Sequence, residues 1–369
     1  MMRSSRINAA SFRDQRNLTA ARLSEFAAPL LKVAAVISSR SRPTPPASWR
    51  RGVLIGADHI GDVLYNTASL PALAEAFPAC EWHYVASPPT SEILANNPFI
   101  KSCVRSVKSL GPIDVAVCYN SGGYWRDLIK MTRLGIPNRV GYVHKGFSGL
   151  VTHGIQISYP QPFPAYFRDL IAQLTATRPT WPLRPKVFPK PEDESSSLAL
   201  WRELELDSMR PALACFVTSR QSHGVWPLEK FGAAIRQVEK ERDIQTILLG
   251  APEDLPVLQE LKRSFNLGAR VAAGKLQLLA LVCLLRKCSA VFCTDSGPRH
   301  LANAAGVRVV YIRNLSFSRV EAGRYCETEL DLAPEAEFVA CQEQERVFSG
   351  LNPAQVANDV LAVVRAAGR

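Results

Sequence analysis

The stretch Ala290-Val-Phe-Cys-Thr-Asp-Ser-Gly-Pro-Arg-His-Leu-Ala-Asn-Ala-Ala-Gly306 shows the fold in miniature. Its first five residues form an apolar run too short for a helix and suited to a buried strand. Asp295 or Ser296 can cap a following helix, Pro298 suits its first turn, and Gly306 stops it. A strand that feeds straight into a helix is half of a parallel α/β unit. The same rhythm runs outward. Strands are predicted over Ala212–Thr218, Gln245–Gly250 and Val307–Ile312, with helices over Pro227–Arg242, Pro252–Phe265 and Leu276–Lys287 and a closing helix over Pro353–Ala367. Upstream, strands over Gly52–Ala57, Trp82–Ser87 and Ile113–Tyr119 alternate with helices over Asp62–Phe77 and Tyr124–Leu134. Near-continuous apolar strands between helices indicate parallel sheets covered on both faces. Pro179, Pro182, Pro185, Pro189 and Pro191 cannot continue regular structure and mark the crossing between two such layers.

A chain of 369 residues suits two domains, and 47% hydrophobic residues exclude wholesale disorder. The formal net charge is +11, of which residues 1–51 carry +8. The remaining body is close to balanced, which argues against nucleic acid as a partner. The nine cysteines form no C-x-x-C pair, and several sit in apolar runs, as free thiols do in a reducing compartment. Their spacings, with scattered histidines, fit no metal set. No stretch approaches the roughly 20 apolar residues of a spanning helix.

The basic N-terminal segment places Leu23, Phe26, Ala27, Leu30, Leu31, Ala34 and Ile37 at helical spacing, with arginines on both sides. Three readings fit. Residues 1–45 lie on an anionic membrane surface as an interfacial helix, or they pack on the body or fray, or they are a signal peptide. Ser41-Arg-Pro-Thr-Pro-Pro-Ala-Ser48 reads as a linker after this extension.

Two turns can carry chemistry. Thr294–His300 joins a strand to a helix start, where unpaired amides and Gly297 make a phosphate seat that Arg299 and His300 can enlarge. Gly56-Ala-Asp-His-Ile-Gly-Asp62 joins the first strand to the first helix, at the strand edge where doubly wound sheets bind ligands. It is not a G-x-G-x-x-G fingerprint. Asp62 reads either as a capping carboxylate or as a general base, with Asp58 and His59 on the same turn. No Gly-x-Ser-x-Gly elbow supports a serine triad. Arg139, His144 and Lys145 can meet an anionic acceptor or line a solvated loop.

These motifs together resemble glycosyltransferase family 9, the heptosyltransferases of lipopolysaccharide core assembly. The similarity covers most of residues 52–369. It runs through Asp58–Val63, Leu70-Pro-Ala-Leu73, Ala76-Phe-Pro78, Asn97-Pro98, Asn138–Tyr142, Leu150–His153, Trp226-Pro227 with Phe231, Leu248-Leu-Gly250, Ala273-Gly-Lys275 and Thr294–His300. The resemblance implies a GT-B architecture, an α/β fold of two Rossmann-like domains with parallel sheets facing a central cleft. The expected divisions are a basic extension over 1–49, an acceptor domain over 50–185, a donor domain over 186–350, and a helix over 351–369 returning to the N-terminal domain. It implies inverting, metal-independent transfer of a heptose or similar sugar from a nucleotide-diphosphate donor, with no cofactor. The acceptor would be a lipopolysaccharide, glycolipid or polysaccharide, met in the cytoplasm or on the inner face of the cytoplasmic membrane.

Residue by residue, Asp62 matches the family's base. Asp295, Ser296, Gly297, Pro298 and His300 match the donor seat, Leu276 a position near the nucleobase, and Glu253 a ribose contact. Asp58, His59, Gly61, Arg139 and Lys145 fall on the acceptor side. Two departures stand out. Gly224 replaces a lysine that commonly meets the donor phosphates, leaving Arg220 or His223 as substitutes. Arg313–Ser318 replaces a Gly-Pro-Thr-Asp-Pro stretch, and Arg313 is a further candidate cation. A non-catalytic nucleotide-sugar binder and a nucleotide-sugar epimerase of the same shell are the alternatives.

Overall fold

A computed structural model describes residues 15–38, 43–119, 125–157, 160–177, 180–219, 225–241, 243–315, 318–334, 346–348 and 350–367. The chain divides into two compact units, Met1–Leu183 and Arg184–Arg369. Arg220, His223 and Gly224 lie outside the described residues.

The first unit opens with helices α1 (Gln15–Phe26) and α2 (Ala28–Ser38). Then follow β1 (Arg51–Ile55), α3 (Ile60–Thr67), α4 (Leu70–Ala76), β2 (Glu81–Val85), α5 (Thr90–Ile93), β3 (Ser102–Val104) and β4 (Val115–Cys118). The unit ends with α6 (Trp125–Arg133), β5 (Asn138–Tyr142), β6 (His153–Ile155) and α7 (Tyr166–Thr175). Its strands are parallel in the order β3-β2-β1-β4-β5-β6. β1 and β4 lie side by side with Gly52 opposite Val115 and Ile55 opposite Cys118.

The second unit repeats the plan. It contains α8 (Pro191–Glu203), β7 (Ala212–Phe216), α9 (Leu228–Val238), β8 (Gln245–Leu248), α10 (Leu255–Ser264) and β9 (Arg270–Val271). It continues with α11 (Leu278–Arg286), β10 (Ala290–Thr294), α12 (Gly297–Ala305), β11 (Arg308–Ile312), β12 (Glu329–Asp331) and α13 (Pro353–Ala367). The order is β12-β11-β10-β7-β8-β9, again all parallel. Strands β7 and β10 are buried along their whole length, as a sheet with helices on both faces requires.

One expected helix changes. The helix predicted over Asp62–Phe77 is two helices, broken at Ala68–Ser69. Pro71 sits in the first turn of α4, where its missing N–H costs nothing, and the Ser69 hydroxyl donates to the Asn66 carbonyl at 2.6 Å. α13 buries Val356, Ala357, Val360, Leu361 and Val364 in the second unit's own core, with Phe231, Ile235 and Phe292. Of the readings for the N-terminal extension, packing on the body holds for its described helices. The Ser24 hydroxyl accepts from the Phe147 amide at 2.9 Å, and the Glu25 carboxylate accepts from the Ser148 amide at 2.8 Å and its hydroxyl at 2.7 Å. Thr44, within the expected linker, and Trp49, just after it, are fastened as well. The Thr44 amide donates to Asn138 Oδ1 at 2.9 Å, and Trp49 is buried against Phe77 and His153.

The described cysteines are all free, seven buried and Cys103 half-buried. Among the described residues no helix is long and apolar enough to cross a membrane.

The docking of the N-terminal helices depends on Gly149. A Cβ there would lie 2.4 Å from the Ala28 carbonyl oxygen and 2.9 Å from Leu31 Cβ, so backbone would have to move. Gly149→Val is expected to release the helices and speed tryptic cleavage at Arg22 and Lys32 by about tenfold. Mass spectrometry of the digest over time checks this.

Candidate active site

Both candidate turns fall where the strand order reverses. At such a point neighbouring crossovers leave on opposite faces and open a crevice at the carboxyl ends of the strands. In the first sheet the reversal lies between β1 and β4, and Gly56–His59 leaves β1 there. In the second it lies between β10 and β7, and Asp295–Ser296 leaves β10 there. The Thr294 hydroxyl reaches the Thr218 carbonyl across this second crevice at 3.4 Å.

In the first unit His59 is the N-cap residue of α3, exposed and without a side-chain capping bond. Ile60 and Gly61 follow, and Asp62 completes the first turn. No hydrogen bond reaches the Asp62 carboxyl among the described residues, so it is not a capping group. Burial pushes this carboxyl up to about 6, and the nearby His59 pulls the other way. A half-buried, unbonded carboxylate that titrates near neutrality has the properties of a general base. One turn on, Asn66 donates to the Tyr84 hydroxyl at 2.7 Å, and the Ser69 and Tyr119 hydroxyls meet at 3.2 Å.

Two other expected acceptor contacts have different occupations. Asp58 accepts from the Ser87 amide at 3.0 Å and from the Thr90 hydroxyl, so it ties its turn to the start of α5. Arg139 is neither in a solvated loop nor facing an acceptor. It is buried, donating from Nε to the Leu150 carbonyl at 2.8 Å and from Nη1 to the Ile136 carbonyl at 2.5 Å. Lys145 is half-buried, just ahead of the Gly146–Gly149 segment that carries α1 and α2. Its neighbour His144 is buried and held neutral, pushed down to about 3 by desolvation and by Lys145. His153 is a packed histidine, edge-on to Trp49.

The donor-side residues converge more closely. Ser296 is the N-cap of α12 in extended backbone, with no side-chain capping bond, and Gly297 and Pro298 form the first turn. The Arg299 amide already donates to the Ser296 carbonyl at 3.0 Å, and proline has no N–H. The anion seat therefore narrows from the whole turn to its Ser296–Gly297 start. His300 is buried, its Nδ1 2.7 Å from the Tyr325 hydroxyl. Burial, then the Arg299 charge, hold the ring well below the ordinary histidine value, so it is neutral.

Arg299 is not a phosphate ligand. It is fully buried and all its donor nitrogens are engaged. Nε donates to Glu329 Oε1 at 2.5 Å and Nη2 to Glu329 Oε2 at 3.1 Å. Nη1 donates to Asp295 Oδ1 at 2.8 Å and to the Ala322 carbonyl at 2.7 Å, and Nη2 also reaches the Gly323 carbonyl at 2.7 Å. The guanidinium lies 3.7 Å over the Tyr311 ring. Burial alone would raise Glu329, but Arg299, the Tyr325 amide and Asn303 outweigh it and hold that carboxyl below the usual range. Burial raises the Asp295 carboxyl, and Arg299 opposes the rise. Asp295 Oδ2 also accepts from the Asn314 amide at 3.4 Å. Sequence reasoning missed Glu329 and Tyr325, which follow Arg299 by 30 and 26 residues in no recognisable motif. Arg313 is a further correction, since it pairs with Asp331 at 3.1 Å in a buried position.

Leu276 and Glu253 sit on adjoining loops. Gly274, at φ +68°, donates its amide to the Gly250 carbonyl at 2.9 Å and packs against Pro252. Leu276 lines a small hollow with Gly250, and Glu253 is exposed on the neighbouring turn. No group of three His, Cys, Asp or Glu side chains placed to hold a metal occurs among the described residues.

Residues 134–312 match the family model described as glycosyltransferase family 9 (heptosyltransferase). That match spans just under half of the chain. Solved structures agree with the fold. A family 9 glycosyltransferase from Veillonella parvula superposes with a TM-score of 0.76 at 18% identity, over 89% of this chain and all of that one. The E. coli ADP-heptose lipopolysaccharide heptosyltransferase II gives 0.66 at 18% identity, over 86% of this chain and 99% of that one. The E. coli heptosyltransferase WaaC with ADP-2-deoxy-2-fluoro heptose gives 0.61 at 15% identity, over 85% and 99%. No curated protein sequence matches significantly. The two parallel six-stranded sheets match the GT-B fold of these heptosyltransferase structures.

Removing one member of a buried ion pair strands the other. Arg299→Leu is expected to lower the unfolding free energy by about 3–5 kcal/mol. Urea denaturation at pH 7 measures it.

Proposed function

We propose that this chain is an inverting, metal-independent transferase that moves a heptose or similar sugar from a nucleotide diphosphate to a glycolipid, lipopolysaccharide or polysaccharide acceptor. The observation that carries the reading is Asp62, an unbonded carboxyl raised to about 6 at the switch point of the first sheet. In a direct displacement, an acceptor hydroxyl oxygen attacks the anomeric carbon opposite the leaving group. The bond from that carbon to the diphosphate oxygen breaks, and its electron pair stays on the diphosphate. The hydroxyl proton passes to Asp62.

The developing diphosphate charge needs preorganised donors. The uncapped start of α12 supplies the positive end of a helix dipole, and Gly297 lets a phosphate approach its backbone. His300, neutral and hydrogen-bonded to Tyr325, adds a dipolar rather than a charged contact. Asp295, steadied by Arg299, is suited to accept sugar hydroxyls. Leu276 and Glu253 are assigned to the base and ribose. Arg220 is retained as a candidate phosphate contact, and His59, Gly61 and Lys145 as acceptor contacts. With Arg313 occupied by Asp331, more of the phosphate charge falls on the helix start.

Asp62→Asn is expected to lower kcat by about 10²–10⁴-fold while nucleotide-sugar binding persists by calorimetry. Undiminished transfer removes Asp62 from the role of base. A thermal-shift panel of ADP-, UDP-, GDP- and dTDP-sugars, led by ADP-heptose, identifies the donor first.

The pH dependence has a definite sign. Only the ionised carboxylate accepts a proton, so kcat/KM should rise with pH through an apparent pKa near 6. Stability moves oppositely. A carboxyl whose folded pKa lies above its unfolded value destabilises the fold once pH passes through that window. Asp62→Asn should therefore melt higher than the wild type at pH 8, with a smaller difference at pH 4, by scanning calorimetry.

A further inference from the structure

Helices α1 and α2 present two opposite faces of unequal size. The inner face carries mostly small residues, with Leu31 as its large one. Ala21, Ser24 and Ala35 are buried, and Ala28 and Leu31 meet Gly149. The outer face carries large ones. Leu23 is 63% exposed, Phe26 89%, Leu30 75% and Val33 58%, at steps of three, four and three residues along one side. A helix that packs only on its own body does the reverse, burying its large side chains and leaving small or polar ones outside. The fastening by Ser24 and Glu25 fixes which face looks out, so the ridge is held in place by the body rather than loosely displayed.

The surroundings of the ridge are basic. Arg22 and Lys32 are exposed within it, while the nearby Glu25 is occupied by Ser148. Trp125, at the start of α6 and 38% exposed, stacks on Phe147, whose amide is bound to Ser24. Further along α6, Arg126, Lys130 and Arg133 join Lys108 in lining a groove of about 360 Å³. Asp127 is the acid on this helix, and burial raises its carboxyl against the pull of Lys130.

We propose that this face docks on an anionic phospholipid surface, with Leu23, Phe26, Leu30 and Val33 entering the headgroup–acyl boundary and the flanking cations meeting lipid phosphates. Apolar insertion beside a basic rim is the chemistry of interfacial helices. A second copy of the chain is a poorer occupant. A two-fold contact through the ridge would place the same cations opposite one another, while Glu25 is held by Ser148 and Asp127 lies beside Lys130. This surface stands apart from the transfer reaction, and its test needs neither donor nor acceptor.

The ridge residues are exposed, so polar replacement should leave the fold intact. The full chain, the quadruple variant Leu23→Ser/Phe26→Ser/Leu30→Ser/Val33→Ser and the triple variant Arg126→Gln/Lys130→Gln/Arg133→Gln are sedimented with vesicles. One set is rich in phosphatidylglycerol and one is pure phosphatidylcholine. The wild type should bind the anionic vesicles and not the neutral ones, with binding weakened by salt. The quadruple variant should lose at least about tenfold in partitioning. The triple variant should lose about fivefold for each charge removed. A folding-independent readout is Phe26→Trp, whose added fluorescence should be quenched by brominated acyl chains in anionic vesicles only. Equal sedimentation of wild type and quadruple variant, or no quenching, overturns the proposal. So does failure of the wild type to bind. A wild-type dimer that the quadruple variant converts to monomer in sedimentation velocity, without vesicle binding, assigns the ridge to self-association instead.

Discussion

In a parallel sheet every crossover is right-handed, and this constraint places the chemistry of the chain. When strand order runs outward from the middle in both directions, the connections on either side of that middle must leave by opposite faces. The loops there cannot cover each other, and a crevice results. Both sheets obey this rule, with β1 beside β4 and β7 beside β10. The Asp62 turn and the Asp295–His300 turn occupy these two reversals. No other pair of loops in either sheet is left open by the topology in the same way.

Position alone does not make a donor seat. The loop after β10 is held by a buried guanidinium with two carboxylates, two backbone carbonyls and a tyrosine ring around it. Such a cluster adds little net stability, because desolvation offsets most of the attraction. Its effect is geometric. Arg299 binds Asp295 on one side and Glu329 on the other, and Glu329 in turn receives the amides of Tyr325 and Cys326. Tyr325 then meets His300. One charged side chain thus helps orient both Asp295 and His300, the donor-side groups of the proposed reaction. Asp62 is the opposite case. Among the described residues no hydrogen bond reaches it, and burial, at a cost in stability, raises it.

The sequence was legible wherever the signal was local. The apolar runs at Arg51–Ile55, Ala212–Phe216 and Ala290–Thr294 are strands within two residues of their expected ends. Pro298 and Gly306 bound their helix as their backbone preferences require. Less regular or shorter elements escaped notice. α8 follows directly from the proline cluster, and β12 has three residues with a polar-apolar-polar pattern. Neither carries enough periodicity to be seen alone.

What the sequence by itself determined was the alternation of strands and helices, the two turns with chemical residues, and their likeness to one family. These follow from spacing, and spacing is complete in one dimension. Only the tertiary structure decided what each long or charged side chain does. Arg139, Arg299 and Arg313 all read as anion contacts, and all three are buried and paired inward. Asp58 read as a site residue and is a tie between loops. The apolar stripe near residue 30 was visible in the sequence, but not that Ala21, Ala28, Leu31 and Ala35 face the body while Leu23, Phe26, Leu30 and Val33 face away. The reason is the same each time. A partner thirty or a hundred residues distant leaves no mark on local periodicity, and a charge finds its role only when burial has removed water from around it.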